Sequence, residues 1–252
     1  MPCPVDTVAI ITGASRGLGQ SLALNLLGHT TQLFTLARSH NPVLASEAEH
    51  HGYPLQQIQV DLANPQATEL AAHTLMEQLP TGATRYLLIN NAGTVDPMAQ
   101  ANQLDTAHAI TAAFNLNVTS VMLLTSAFLN RVKPLQADAR IMNISSGAGR
   151  NPTPGWGVYC ATKAALDLYT RVTDAEQHGV RIVSIAPGVV DTSMQSSIRD
   201  ASPEHFPNVA RFQSLHNQGQ LASPDSVAQR LLNYLNDPSF GHTVIDDIRN
   251  YS

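Results

Sequence analysis

A chain of 252 residues, 43% of them hydrophobic and 13% charged, is long enough to bury one large core. A formal net charge of -5 with only 14 lysines and arginines argues against a nucleic-acid partner. Two cysteines, Cys3 and Cys160, suit a reducing compartment and make a disulfide unexpected, and Cys160 is expected to be a small packed residue rather than a reactive thiol.

Met1 to Thr7 is too short for a signal peptide, and no apolar run approaches the roughly 20 residues of a membrane span, so a cytoplasmic location without membrane contact is expected. Residues 8–11 (VAII) read as a short β-branched strand. Thr12-Gly13-Ala14-Ser15-Arg16-Gly17-Leu18-Gly19 follows at once and opens onto a helical pattern at Leu22, Leu26 and Leu27. Strand, glycine turn and helix in that order form a cradle for a dinucleotide pyrophosphate, which the helix N-terminus attracts. Gly13 permits the turn, Gly17 lets backbone approach the phosphates, and Gly19 allows close packing of helix and strand.

The next strand, residues 31–36, ends at Ala37-Arg38-Ser39, where a carboxylate for the ribose 2′-hydroxyl is missing. Arg38, with Arg16 from the glycine turn, would instead clamp a 2′-phosphate, which favours NADP(H) over NAD(H). Residues 57–60 form a strand ending in Asp61-Leu62, where Asp61 either accepts from an adenine amino group or caps the following helix. Residues 86–89 lead into Asn90-Asn91-Ala92-Gly93, whose glycine allows close approach to a ribose. A long helical stretch covers residues 104–132, with apolar residues on more than one side.

Residues 139–144 read as a buried strand whose carboxyl end delivers Ser145 to the edge where open α/β sheets bind ligands. Fourteen residues beyond Ser145, Tyr159 precedes Lys163 by one helical turn, a spacing that puts phenol and ammonium on one face. In that geometry Lys163 would favour the phenolate and bring an acid/base tyrosine closer to neutral pH. Residues 180–185 form a further strand, closed by Ala186-Pro187-Gly188 with Val190 and Thr192 beyond. Residues 191–219, broken by Pro203 and Pro207, suggest short helices forming a substrate lid. Trp156 and Met194, with Phe206 or Phe212, are candidates to line a pocket. Strands alternating with helices throughout predict one domain, 1–252, with a doubly wound parallel sheet of about seven strands and helices on both faces. The adjacent His50 and His51 carry no further ligand spacing, so no metal is expected.

TGASRGLG, NNAG, Asn117 within Leu-Asn-Val-Thr-Ser, Ser145, Tyr159 with Lys163, and PGVVDT together resemble the short-chain dehydrogenase/reductase family over essentially the whole chain. Within it the likeness is to sepiapterin reductase and to benzil or diketone reductases, through LINNAG, GWGVYC and DTSMQ. The resemblance implies a catalytic set of Asn117, Ser145, Tyr159 and Lys163. Tyr159 would be the general acid in carbonyl reduction and Ser145 would hydrogen-bond the substrate oxygen. Lys163 would bind the nicotinamide ribose and lower the Tyr159 pKa, and Asn117 would complete a water-linked proton relay.

It further implies cofactor contacts from Gly13, Ser15, Arg16, Gly17, Leu18, Gly19, Arg38, Ser39, Asp61, Leu62, Asn90, Ala92, Gly93, Tyr159, Lys163, Pro187, Gly188, Val190 and Thr192. Substrate contacts are expected from Ser145, Trp156, Tyr159 and Met194, and the family expectation is a homodimer. In sepiapterin reductase a carboxyl-terminal aspartate anchors the pterin; aligning the glycine and valine of residues 241–249 puts Ile248 there, and Asp246 or Asp247 would substitute only by a shift in strand register. The sequence therefore favours a ketone or vicinal diketone as the small-molecule substrate. A pterin reductase, an alcohol dehydrogenase working oxidatively, and a non-catalytic NADP(H) sensor are the alternatives.

Overall fold

The structure is a computed structural model that describes residues 5–251; Cys3 lies outside the described residues. Seven strands, β1 (Thr7–Thr12), β2 (Thr31–Ala37), β3 (Leu55–Gln59), β4 (Arg85–Asn90), β5 (Asp138–Ile144), β6 (Arg181–Ala186) and β7 (Ile245–Asp247), form one parallel sheet. Their order is β3-β2-β1-β4-β5-β6-β7. The chain winds outward from β1 to β3 and then crosses to β4 on the other side of β1. That reversal opens a crevice at the carboxyl ends of β1 and β4.

A parallel sheet needs both faces covered, and strand alternation divides its side chains between two cores. Ala9, Ile11, Leu87, Ile89, Met142 and Val183 pack on one side with residues of α1 (Gly17–Leu26) and α9 (Pro224–Asn236). Val8, Ile10, Leu88, Ile141 and Ile182 pack on the other with residues of α3 (Pro65–Gln78) and α5 (Ser120–Val132). The remaining helices are α2 (Pro42–His51), α4 (Ala107–Phe114), α6 (Gly157–Ala175), α7 (Ser193–Arg199) and α8 (Val209–Asn217).

Three helices begin in the same way, with a capping side chain followed by proline: Asn41-Pro42, Asn64-Pro65 and Ser223-Pro224. This corrects one of the two roles offered for Asp61. The cap of α3 is Asn64, which accepts from Ala67 N, whereas Asp61 closes a turn by accepting from Ala63 N.

The expected helix over 104–132 starts instead at Ala107, and a π segment at Asn115–Thr119 joins α4 to α5. The continuous helical run Ala107–Leu135 is long and apolar enough to cross a bilayer, contrary to the sequence expectation. Its apolarity has a local explanation, since Val121, Leu124, Phe128 and Val132 are buried against the sheet and α3.

At the amino-terminal edge of the sheet, Asp138 gathers Arg85 (3.1 Å), Arg140 (3.0 Å) and Arg181 (2.7 Å) from three neighbouring strands. Burial would raise the Asp138 pKa, but hydrogen bonds and charge from Arg140 and Arg181 outweigh it and hold the carboxyl at about 2. Arg140 is itself buried and donates to the carbonyls of Leu235 and Asp237, tying α9 to the same edge.

Candidate active site

A cleft of about 690 Å³ runs along the carboxyl edge of the sheet. Its floor at the β1 end is the glycine turn. The turn is fixed from β4: Thr12 Oγ1 accepts from the amides of Asn91 and Ala92 (2.9 Å each), and Asn91 Nδ2 donates to Thr12 O (2.9 Å). Gly19 is required by this approach, since a side chain there would meet Gly13 O at 2.2 Å and Asn91 Nδ2 at 2.4 Å. The third glycine therefore lets α1 approach the ends of β1 and β4 closely, the helix-to-strand packing that the sequence suggests.

Arg16 caps α1 without a capping side-chain hydrogen bond, so the first-turn amides are left to a ligand. Gly17 has a φ of 58°, and a side chain there would press on Thr192 at 3.2 Å. Arg38 and Arg16 are both exposed where the cleft passes the end of β2, and among the described residues neither has an ion-pair partner. The glycine turn and the first-turn amides of α1 fit the pyrophosphate of a dinucleotide.

Ser15, Leu18, Asp61, Leu62, Ala92, Gly93, Pro187, Gly188, Val190 and Thr192 line the cleft with the glycine turn and Arg38. Ser39 and Asn90 do not line it. Ser39 is exposed beyond the end of β2, which directs it to solvent. Asn90 is buried beneath the cleft floor, where its Nδ2 donates to Asn143 Oδ1 (2.8 Å). Asn91, which the sequence reading passed over, makes the contact to the glycine turn instead.

At the other end of the cleft, Tyr159 and Lys163 share one face of α6, as their spacing predicts, and both are buried. Lys163 Nζ donates to Ile144 O (2.8 Å) and lies 5.8 Å from the centre of the Tyr159 ring. Asn117 sits on the π segment. Its amide is held at both ends, Oδ1 accepting from Thr94 N (2.9 Å) and Nδ2 donating to Thr94 O (2.9 Å) and Thr162 Oγ1 (3.0 Å). It pins the loop after β4 to the helix that carries Lys163.

Two expectations change here. Ser145 is brought to the sheet edge, but its hydroxyl is committed to Asp167 Oδ1 at 2.6 Å. Extended backbone alternates its side chains, so Ser145 follows Asn143, which donates to Thr170 on α6. Ser146, with φ -158° and ψ 151°, faces the opposite way, so that its hydroxyl, which accepts from Ala148 N (3.2 Å), lies on the side of the Tyr159 phenol and favours its ionised form. Of the two serines, Ser145 lines the cleft, as expected, while its hydroxyl is turned to Asp167; Ser146 stands next to it at the strand end.

The second change concerns proton affinity. Burial pushes the Tyr159 phenol up, and it is the Ser146 hydroxyl rather than Lys163 that opposes the rise. Lys163 is itself drawn down to about 8 by burial, against the charge of Asp167.

Beside Tyr159 the wall is aromatic. Trp156 stacks on Phe206 (4.8 Å between centroids, 15° between planes) and packs edge-on to Tyr159 (5.3 Å). Trp156 and Met194 line the cleft as expected, together with Val95, Gln195 and Ile198. Phe206 and Phe212 pack behind Trp156 and do not line it. Cys160 is half-buried against this cluster.

The carboxyl-terminal aspartates are engaged elsewhere. Asp246 is buried and held by the Tyr251 hydroxyl, Asn250 Nδ2 (2.9 Å) and Asp247 N (2.8 Å), while Asp247 pairs with Arg249 (2.6 Å). Ile248 is buried in the core formed with α1 and α9. None of the three lines the cleft.

Known proteins share this arrangement. The sequence profile described as short chain dehydrogenase matches residues 7–203. Benzil reductase ((S)-benzoin forming) of Bacillus cereus is 38% identical over 236 residues, covering 92% of this chain and 94% of the relative. Sepiapterin reductase of Meriones unguiculatus is 36% identical over 245 residues, covering 92% of each. Among solved structures, the KRED1-Pglu enzyme superposes with a TM-score of 0.82 at 27% identity, covering 94% of this chain and 99% of its own. With the glycine turn, the sheet order and the tyrosine-lysine helix all in place, the chain belongs to the short chain dehydrogenase family of oxidoreductases.

Proposed function

We propose that the protein is an NADPH-dependent carbonyl reductase acting on an apolar ketone or vicinal diketone. The observation that carries this is the placing of the Tyr159 phenol over Lys163 at the end of the cleft, next to the serines that close β5 and beside an aromatic wall. NADPH supplies a hydride when bound. Arg16 and Arg38 hold its 2′-phosphate, the glycine turn its pyrophosphate, and Lys163 and Gly93 its nicotinamide ribose.

The substrate oxygen accepts hydrogen bonds from Ser146 and Tyr159, which stabilise the negative charge that develops there. Tyr159 then gives up its proton, and the high proton affinity imposed by burial keeps the phenol protonated until that moment. Both ends of the Asn117 side-chain amide are engaged by protein, so its part is to hold the loop after β4 against the helix that carries Lys163.

Trp156, Met194, Val95 and Ile198 form an apolar recess suited to an aryl or alkyl flank of the carbonyl. With Ile248 in the core and Asp246 and Asp247 engaged, a pterin lacks the carboxylate it would need at the chain's end. We read residues 191–219 as the lid of a single domain. We expect a cytoplasmic homodimer formed through α5 and α6, where Met122, Leu168 and Val172 leave large apolar side chains exposed.

The deciding experiment follows NADPH oxidation by absorbance with benzil, a short diketone, an aromatic aldehyde and sepiapterin, with NADH in parallel. Turnover of diketones with NADPH and little with sepiapterin is expected. Efficient sepiapterin turnover would move the assignment to pterin reduction. No turnover with any carbonyl would overturn the reductase reading in favour of an oxidative or a non-catalytic role.

A further inference from the structure

Asp167 lies one helical turn beyond Lys163 on α6 and is buried. Its Oδ1 accepts from the hydroxyls of Ser145 and Ser184, each at 2.6 Å, and its Oδ2 from Arg150 Nε at 2.9 Å. The donors come from the end of β5, from β6 and from the turn following β5. Arg150 also donates through Nη1 to Asp246 O (3.0 Å), so β7 joins the same network. A buried carboxylate is costly without such partners, and apolar residues would fill the space more simply. Its location points to a use: it is coupled by charge to Lys163 and holds the residue directly before Ser146.

We propose that Asp167 is a positioning residue of the reductase site: it sets a negative charge one helical turn from Lys163 and, through Ser145, fixes the end of β5 against the helix that carries Tyr159. The assignment rests on the reductase reading for its purpose. Lys163 is faced by Tyr159 and Asp167 from its own helix, by Asn117 from the π segment and by the Ile144 carbonyl from β5. Arg150 is the other charge on Asp167, and the Asp246 carboxylate is turned away toward Tyr251 and Asn250. Burial already lowers Lys163 to about 8, and Asp167 is the charge that opposes this. Without it, the lysine would be neutral over part of the working range.

The test is the pH dependence of NADPH binding, read by nucleotide fluorescence, in Asp167→Asn, Ser184→Ala and Arg150→Gln, with kcat/KM profiles in parallel. The alkaline limb of Asp167→Asn should move about one pH unit toward acid, the scale of losing a nearby opposite charge. Ser184→Ala removes a hydrogen bond but no charge and should leave the limb in place, whatever it does to thermal stability. Arg150→Gln should move the limb the other way, because the carboxylate loses its competing cation. A wild-type limb in Asp167→Asn would overturn the proposal. Should that variant fail to fold, an unmoved limb in Arg150→Gln would overturn it equally. Binding needs no carbonyl substrate, so a protein that turns over nothing yet shows these shifts refutes the reductase reading alone.

Discussion

Both edges of the sheet carry an aspartate held by arginine, and the two are put to different use. At the amino-terminal edge Asp138 collects Arg140 from its own strand and Arg85 and Arg181 from the two neighbouring strands, and none of the four lines the cleft. At the carboxyl edge Asp167 collects one arginine and two serines and lies a turn from Lys163. The first arrangement binds strands together. The second leaves charge to act on a neighbouring titratable group. Parallel strands all point one way, so one edge becomes a site and the other is free to serve stability.

The sharpest way to break that contrast is at the acid. Tyr159→Phe should cut kcat by about 10³-fold with NADPH affinity little changed, within the range of positioned general acids. Full activity in that variant would remove chemistry from this edge altogether. Next in size, Ser146→Ala should cost about 10²-fold in kcat, the scale of one lost oxyanion donor. Ser145→Ala should cost less than about tenfold, because its hydroxyl serves Asp167. The reverse order would restore the assignment read from sequence.

Arg38→Ala tests the cleft's far end, where loss of a phosphate contact should raise KM for NADPH about tenfold and leave KM for NADH unmoved. Equal changes for both nucleotides would refute the 2′-phosphate clamp.

The smallest effect belongs to the amino-terminal edge. The Asp138 pKa is depressed in the fold to about 2 from 3.8, so its contribution is complete above pH 4 and is lost as pH falls toward 2. Thermal denaturation of Asp138→Asn should give a lower Tm at pH 6 and a shallower fall of Tm between pH 4 and 2 than wild type, with kcat unchanged. A parallel fall in both proteins would show that other carboxylates carry the acid sensitivity.

Much of the molecule could be read directly. The β-branched strands, the glycine turn and the Tyr159-Lys163 spacing are local patterns, each set by backbone sterics or by a few neighbouring side chains. Less legible were groups whose roles depend on distant partners. Asn90 looked like a cofactor ligand by position but turns to Asn143 from the neighbouring strand. Phe206 and Phe212 were apolar candidates for the pocket, yet their stacking behind Trp156 depends on how the segment after β6 folds back.

The sequence by itself determined the sheet order's building blocks, the nucleotide cradle with its two arginines, and the helix that places Tyr159 beside Lys163. These follow from periodicity and spacing within single elements. Only the tertiary structure decided that the Ser145 hydroxyl is taken by Asp167, that Asp246 and Asp247 are engaged away from the cleft, and that burial rather than Lys163 dominates the proton affinity of Tyr159. The physical reason is common to all three. A hydroxyl, a carboxylate or a phenol takes its role from what surrounds it, and those neighbours lie in other strands and helices that sequence distance does not reveal.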